Sequence, residues 1–238
     1  MSLSHRLYIW AKRLREIVSD RILLWKYRDR PYIEYYRAIM KRRTARDPKA
    51  AVGAVNSGER QLTRLVLHGL KPEHTLFDFG CGSLRGGLYL IKYLNTGNYT
   101  GNDISEEILE AGRTFLREAG LEHKQPHLYH TNDLLFSEVS GKTFDYLHAQ
   151  SVLSHMPPED IEALFSNIPK IMHPKSQFFA TFFLAEGDSI YPSNQRRNFH
   201  YPFSWMQDCG AKHGLRVEMA QDAPQYIGKQ KLMRITLA

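Results

Sequence analysis

The sequence predicts an α/β fold: a seven-stranded, mostly parallel sheet with an antiparallel last strand, preceded by N-terminal helices. Three observations carry this. Short apolar runs alternate with helical patterns from about residue 74 onward, as in a parallel sheet crossed by helices. The first run, Leu76-Phe-Asp-Phe79, turns through Gly80 and Gly82 straight into a helical pattern at Leu88, Leu90, Ile91 and Leu94. The last two runs, Leu215–Ala220 and Lys231–Leu237, have no helix between them, which calls for antiparallel pairing.

Taken in order, residues 3–27 form a basic amphipathic pattern. Leu3, Leu7, Trp10, Leu14, Ile17, Val18, Leu24 and Trp25 recur at spacings of three or four, with Arg6, Lys12, Arg13 and Arg15 between them. A second helical stretch, 31–43, opens on Pro31 at a first-turn position and carries Tyr32, Tyr35, Tyr36 and Ile39. It closes in Lys41-Arg42-Arg43. Residues 47–58 are rich in turn formers and divide a basic helical extension, residues 1–50, from a main domain, residues 51–238. Ser57 is placed to cap a helix over 58–68 that Gly69 ends. Strands are then expected at His74–Phe79, Tyr99–Asp103, His127–His130, Phe144–Ala149 and Gln177–Phe183. Behind the second strand, Ser105-Glu106-Glu107 offers a hydroxyl cap and two acids to the positive end of a helix dipole. The fifth strand is aromatic and apolar, which suits burial on both faces. A helix over Ser204–His213 leads to the final pair.

At 238 residues and 42% hydrophobic, the chain builds a core that needs no covalent staples. Two cysteines, Cys81 and Cys209, are too few for a disulfide framework, and no paired His/Cys spacing suggests a metal site. No apolar run reaches the roughly 20 residues that span a bilayer. Charges interrupt every apolar run near the N-terminus, so a cytoplasmic protein is expected. Charge is uneven: residues 1–49 hold 14 Lys/Arg and 5 Asp/Glu, a net of +9, while the rest of the chain is at −2. Three partners fit that excess. The helices pack on the main domain, or residues 1–30 lie on an anionic membrane surface at the cytoplasmic face. Nucleic acid is the least supported, because basic charge alone discriminates poorly.

Open α/β sheets bind ligands at the carboxyl ends of their strands, where strand order reverses. Four such ends carry suggestive residues here: Asp78 to Gly82, Asp103, Asn132-Asp133, and Gln150 to His155. Gly80 and Gly82 permit turns that a Cβ would block and bring backbone N–H groups against a ligand. Asp103 follows Gly82 by 21 residues, the spacing at which an acid takes a ribose diol in nucleotide-binding α/β units. Its two carboxylate oxygens suit that diol. The glycines fall at 80, 82 and 86 rather than as GxGxxG, which speaks against a nicotinamide-dependent oxidoreductase.

On these residues the chain resembles class I S-adenosylmethionine-dependent methyltransferases. Phe77-Asp-Phe-Gly-Cys-Gly-Ser83, Tyr99-Thr-Gly-Asn-Asp-Ile-Ser105, Asn132-Asp133 and Phe144-Asp-Tyr-Leu-His-Ala-Gln-Ser151 look like that family's successive motifs. The segment Ile161 to Phe183 is similar to its last crossover helix and fifth strand. The resemblance covers about residues 57–183, the final strands loosely, and leaves residues 1–50 out. It implies a Rossmann-like fold, S-adenosylmethionine as cofactor and S-adenosylhomocysteine as product. Gly80 and Gly82 would approach the methionyl part, with Asp78 ordering the loop. Asp103 would take the ribose hydroxyls, with Ile104 against the adenine. Asn132 and Asp133 would meet the adenine amino side, with Leu134 on the ring, and Gln150 and Ser151 would lie beside the sulfur. The loop departs from the commonest form at Ser83-Leu84-Arg85-Gly86-Gly87, so Arg85 is read either as the partner of the cofactor carboxylate or as that of a local acid.

Methyl transfer is an in-line displacement at an activated carbon; the protein aligns the reactants and, for a hydroxyl acceptor, removes a proton. His155, after the fourth strand, is the first candidate base, with a turn-capping role as its alternative; His200 is the second. Histidine ordinarily titrates near neutrality, as such a base should. Arg197, Tyr201 and Trp205 are candidates to line the acceptor pocket. No nucleobase-amine tetrad or cysteine pair is present, so the expected acceptor is an oxygen on a small molecule, a sugar or a lipid-linked intermediate. A non-catalytic module that keeps the cofactor fold and is recruited to a membrane or a partner is the alternative from another class.

Overall fold

The structure, a computed structural model, describes residues 3–46, 57–193, 198–222 and 229–238. Most of the expected boundary (residues 47–56), the Ser57 side chain and Arg197 lie outside the described residues. Two helices come first, α1 (Leu3–Lys26) and α2 (Tyr32–Arg46), followed by α3 (Ser57–Leu67). The alternation then runs β1 (Leu76–Phe79), α4 (Gly87–Tyr93), β2 (Tyr99–Asp103), α5 (Glu106–Glu118), β3 (His127–His130) and β4 (Phe144–Ala149). It continues through α6 (Pro158–Asn167), β5 (Met172–Leu184), β6 (Tyr191–Ser193), β7 (Asn198–Tyr201) and α7 (Phe203–Lys212), and ends in β8 (Leu215–Met219) and β9 (Gln230–Leu237).

The strand order is β3-β2-β1-β4-β5, all parallel, with β9 antiparallel against β5 and β8 antiparallel against β9. These seven strands are the expected sheet: β9 alone runs against the others. Its place is inside the sheet rather than at the edge, so the last strand is paired on both sides. The sheet gains two further strands, β6 and β7, which form a hairpin. β7 joins the carboxyl end of β5 past the last residue paired with β4, pairing Phe183 with His200 and Leu184 with Tyr201. The sequence pattern there reads as irregular because each strand is only three or four residues long.

Neighbouring residues go to opposite faces, as the period of two in a strand requires. Phe77, Leu147, Phe178 and Met233 enter one core with Ile161, Leu164 and Phe165 of α6 and Met206 of α7. Their neighbours Leu76, Tyr146, Phe179 and Leu232 enter a second core with Leu65 of α3, Leu90 and Ile91 of α4, and Leu109 and Leu116 of α5. At about 1.5–3 kcal/mol for each large apolar side chain, these two layers dominate the stability. β5 begins five residues before the expected Gln177, with a register shift opposite Phe144 and Tyr146. Pro174 lacks an N–H for the ladder, and Ser176 Oγ bridges the irregularity by donating to the Phe144 carbonyl and accepting from His173 N. α5 starts where the sequence predicts it, with the Ser105 hydroxyl accepting from Ile108 N at 3.3 Å.

The chain leaves β1 toward β2 and β3, then returns to β4 on β1's other side. The switch of direction lies between β1 and β4, and their carboxyl ends open the crevice where the site is built.

Candidate active site

Behind Phe79 the chain must reverse within a few residues, and Gly80 does so with φ at 70°. A Cβ there would stand 2.6 Å from Val152 Cγ2, so the loop after β1 packs directly on the loop after β4. Gly82, at φ 57°, turns its N–H onto Asp103 Oδ2 at 3.0 Å. Asp103 Oδ1 accepts from Ser105 N, also at 3.0 Å. Each oxygen keeps a lone pair for a ligand hydroxyl. Burial raises the Asp103 carboxyl from 3.8 to about 6, opposed by the N–H groups of Ser105, Gly82 and Ile104.

Asp78 lies beneath this loop, buried. It accepts from the Tyr99 hydroxyl at 2.6 Å and pairs with His148 Nδ1 at 3.3 Å. Burial and the Asp78 charge push the Tyr99 hydroxyl well above its ordinary value, so it stays a donor. Asp78 thereby ties β1 to its neighbours β2 and β4 beneath the loop. On the other side, Asp133 is exposed and spends Oδ1 on Leu135 N at 2.9 Å. Asn132 and Leu134 line the cavity beside it.

The Gln150-Ser151 end is held by a network across three strands. Ser151 N donates to Thr181 Oγ1 at 2.8 Å, and Ser151 Oγ donates to Gln230 Oε1 at 2.9 Å. Gln150 Oε1 accepts from Arg64 Nη1 at 2.6 Å. Arg64, 5% exposed, grips Asp222 with two nitrogens, Nε at 3.1 Å and Nη2 at 2.7 Å. The single 3-10 turn Leu153–His155 follows and brings His155 to the cavity wall.

One cavity of 840 Å³ collects these residues. Asp78, Gly80, Gly82, Arg85, Asp103, Ile104, Asn132, Asp133, Leu134, Gln150, Ser151 and His155 all line it. Both terminal guanidinium nitrogens of Arg85 are buried with no hydrogen-bond partner among the described residues. Burial lowers its pKa.

His200, Tyr201 and Trp205 are placed elsewhere. His200, in β7, is stacked between Phe183 at 5.0 Å and Tyr191 at 4.6 Å, and burial lowers its pKa. Tyr201 is fully buried, donates its hydroxyl to the Met156 carbonyl and packs against Trp205. None of the three lines the cavity. The hairpin β6–β7 takes up the segment that otherwise reads as a pocket loop and turns His200 and Tyr201 into packing, while Trp205 packs on Tyr201 from α7.

The opposite wall comes from α2: Tyr32, Ile33, Tyr36, Met40 and Arg43. Arg37 Nε donates to the Ile104 carbonyl at 3.2 Å, and Lys41 pairs with Glu107 at 3.0 Å. These clamp the helix over the ends of β2 and α5. Tyr32 meets Phe199 edge-on at 5.3 Å, and Tyr36 stacks on His155. The sequence gives the signal only as Tyr32 and Tyr36 on one helical face; nothing in it says what they face. Asp160 also lines the cavity, with its carboxyl pushed up to about 6 by burial and by Glu159. It looks in the sequence like an ordinary first-turn acid of α6.

Residues 77–178 match a family model described as a methyltransferase domain. Among solved structures, the chain is similar to magnesium protoporphyrin IX methyltransferase from Synechocystis PCC 6803 with bound S-adenosylmethionine. That likeness has 18% identity and a TM-score of 0.59, covering 79% of this chain and 81% of that one. It is similar to the glycopeptide N-methyltransferase MtfA with S-adenosylhomocysteine, at 14% identity and a TM-score of 0.62, covering 79% of this chain and 95% of that one. It is also similar to the mitomycin 7-O-methyltransferase MmcR, at 20% identity and a TM-score of 0.59, covering 84% of this chain and 60% of that one. At these identities the structural likenesses speak for the fold.

Proposed function

We propose that this chain, whose residues 77–178 are a methyltransferase domain on the class I fold, is an S-adenosylmethionine-dependent methyltransferase acting on an oxygen acceptor. The observation that carries the reading is that the glycine loop, Asp103, Arg85 and His155 line one and the same cavity. The donor set fits the cofactor. Asp103 offers two acceptor oxygens to a ribose diol, and the unpaired Arg85 guanidinium offers a charge-assisted partner to a carboxylate. Ile104 and Leu134 offer apolar surface to a purine ring. When bound, S-adenosylmethionine supplies a methyl carbon activated by the sulfonium.

The chain's own residues align and deprotonate the acceptor. Tyr32, Ile33, Tyr36 and Met40 give that end of the cavity an aromatic and apolar wall, which favours an acceptor with a flat or greasy body. His155 stands on the same wall and takes the hydroxyl proton as the oxygen attacks, while its stacked partner Tyr36 fixes the imidazole plane. α2 covers the cavity and limits water, which would compete for the proton and the site. One of the similar structures is named as an O-methyltransferase and another as an N-methyltransferase; the histidine on the acceptor wall favours oxygen here.

The test is incubation of the purified protein with methyl-labelled S-adenosylmethionine and fractionated lysate. Label is expected in a lipid or small-molecule fraction, and alkali should leave it in place, as it leaves an ether. Release as methanol would mean a carboxylate acceptor, and label in nucleic acid or protein would overturn the acceptor class.

A further inference from the structure

We propose that α1 is a docking helix for an anionic lipid bilayer. Leu7, Trp10, Leu14, Ile17, Ile22 and Trp25 are each 45–69% exposed. On a helix turning 100° per residue they fall with Val18 within an arc of about 140°, a stripe about 27 Å long. The far side of the helix is used already: Asp20 is 3% exposed and ion-paired with Arg42 of α2. The stripe therefore points away from the molecule. Apolar surface this continuous marks an interaction site, whereas isolated exposed leucines mean nothing.

Charge selects the occupant. Exposed Arg15 and Lys26 run along one border of the stripe, exposed Arg21 stands within it, and the Arg28 guanidinium lies over the Trp25 ring at 4.9 Å. No exposed acid occurs among the described side chains of α1. A second copy would bring the same arginines face to face, inside a segment already at +9. An anionic headgroup layer neutralises them, accepts indole rings at its boundary, and dissolves the leucines just below it. No helix among the described residues is long and apolar enough to cross a membrane, so α1 lies on the surface. The inference goes beyond methyl transfer and does not depend on it. The two meet in α2, which holds α1 through Arg42 and lines the cavity through Tyr36 and Met40.

The test is sedimentation of the full chain with vesicles of phosphatidylcholine alone and of phosphatidylcholine mixed with phosphatidylglycerol. Binding to the mixed vesicles only is expected. Reversal of Arg15, Arg21 and Lys26 to Glu should weaken it about 100-fold. The double change Trp10→Glu, Trp25→Glu should abolish it, with melting temperature and S-adenosylhomocysteine binding preserved as proof of folding. Absence of binding to anionic vesicles at low salt, equal binding to neutral ones, or indifference to both variants overturns the proposal. So does a dimer in solution that the tryptophan changes dissociate. Because the readout is sedimentation, a protein that binds vesicles yet transfers no methyl group separates this proposal from the enzymatic one.

Discussion

The Tyr36 ring and the His155 imidazole lie 5.2 Å apart, centroid to centroid, with their planes inclined at 28°. One belongs to the N-terminal helices and the other to the loop after β4, so the cavity closes where these two parts meet. Such a stack contributes about 0.5–1.5 kcal/mol beyond its buried area. Tyr36→Ala is expected to raise the acceptor KM and lower kcat about 3- to 10-fold, while calorimetry with S-adenosylhomocysteine shows unchanged affinity. Tyr36→Phe keeps the stack and should keep most of the activity.

Removing the proposed base should be more severe. His155→Gln should lower turnover by roughly 10²–10⁴-fold, with cofactor affinity intact. Retained turnover in that variant, together with a loss in Asp160→Asn, would transfer the role to the acid on the same wall.

Among the described residues, the two terminal guanidinium nitrogens of Arg85 have no hydrogen-bond partner at the cavity. If it meets the cofactor carboxylate, Arg85→Ala should weaken S-adenosylhomocysteine about 10- to 100-fold, the range for a charge-assisted hydrogen bond. The same variant should lose far less affinity for adenosine, which lacks the carboxylate. Equal losses for both ligands would make Arg85 a loop-packing residue.

Asp103 predicts a pH dependence. Its carboxyl stands at about 6 in the folded chain against 3.8 for the ordinary group, so the folded state holds the proton more tightly. The contribution of this group to stability therefore falls as pH rises from about 4 through 6 and is constant above that. Ligand affinity runs the other way. A ribose diol donates to the ionised form, so S-adenosylhomocysteine binding should weaken by up to about tenfold for each pH unit below about 6. Asp103→Asn should bind more weakly at pH 7 and lose that slope in a calorimetric titration series.

The Arg64–Asp222 pair ties α3 to the segment after β8. Asp222→Ala leaves a 5%-exposed guanidinium without its two-point partner, at a cost of about 3–5 kcal/mol in unfolding free energy. Denaturant titration should show it, and kcat should fall with it because Arg64 also holds Gln150. Replacing both members with apolar residues of similar size should recover much of the stability.

What the sequence makes legible here is whatever local chemistry decides. Gly80 and Gly82, the Ser105 cap and the bounds of β2, β3 and β4 follow from turn geometry, hydroxyl capping and short runs of strand-forming residues bounded by turn formers. Each needs only near neighbours in the chain. That the residues at the strand ends share one cavity is readable for the same reason, since strand ends in such a sheet converge whatever the loops contain. The acceptor wall is another matter. Tyr36 lies 119 positions before His155, and an aromatic on a helix looks alike whether it faces core, ligand or water. His200 and Tyr201 mislead in the opposite direction. Their residue types suit a pocket, but a hairpin of three- and four-residue strands, too short to show an alternating pattern, absorbs them into packing.

The position of α2 over the cavity has a consequence for how this chain can be taken apart. A cut anywhere in residues 47–56 follows the sequence boundary and leaves the sheet, the glycine loop and Asp103 whole. It also carries off Tyr32, Tyr36 and Met40, a full side of the chamber. On the proposed function, such a fragment keeps the nucleoside end of the cavity and loses one side of the acceptor end, so cofactor binding and acceptor choice fall on two different lengths of this polypeptide.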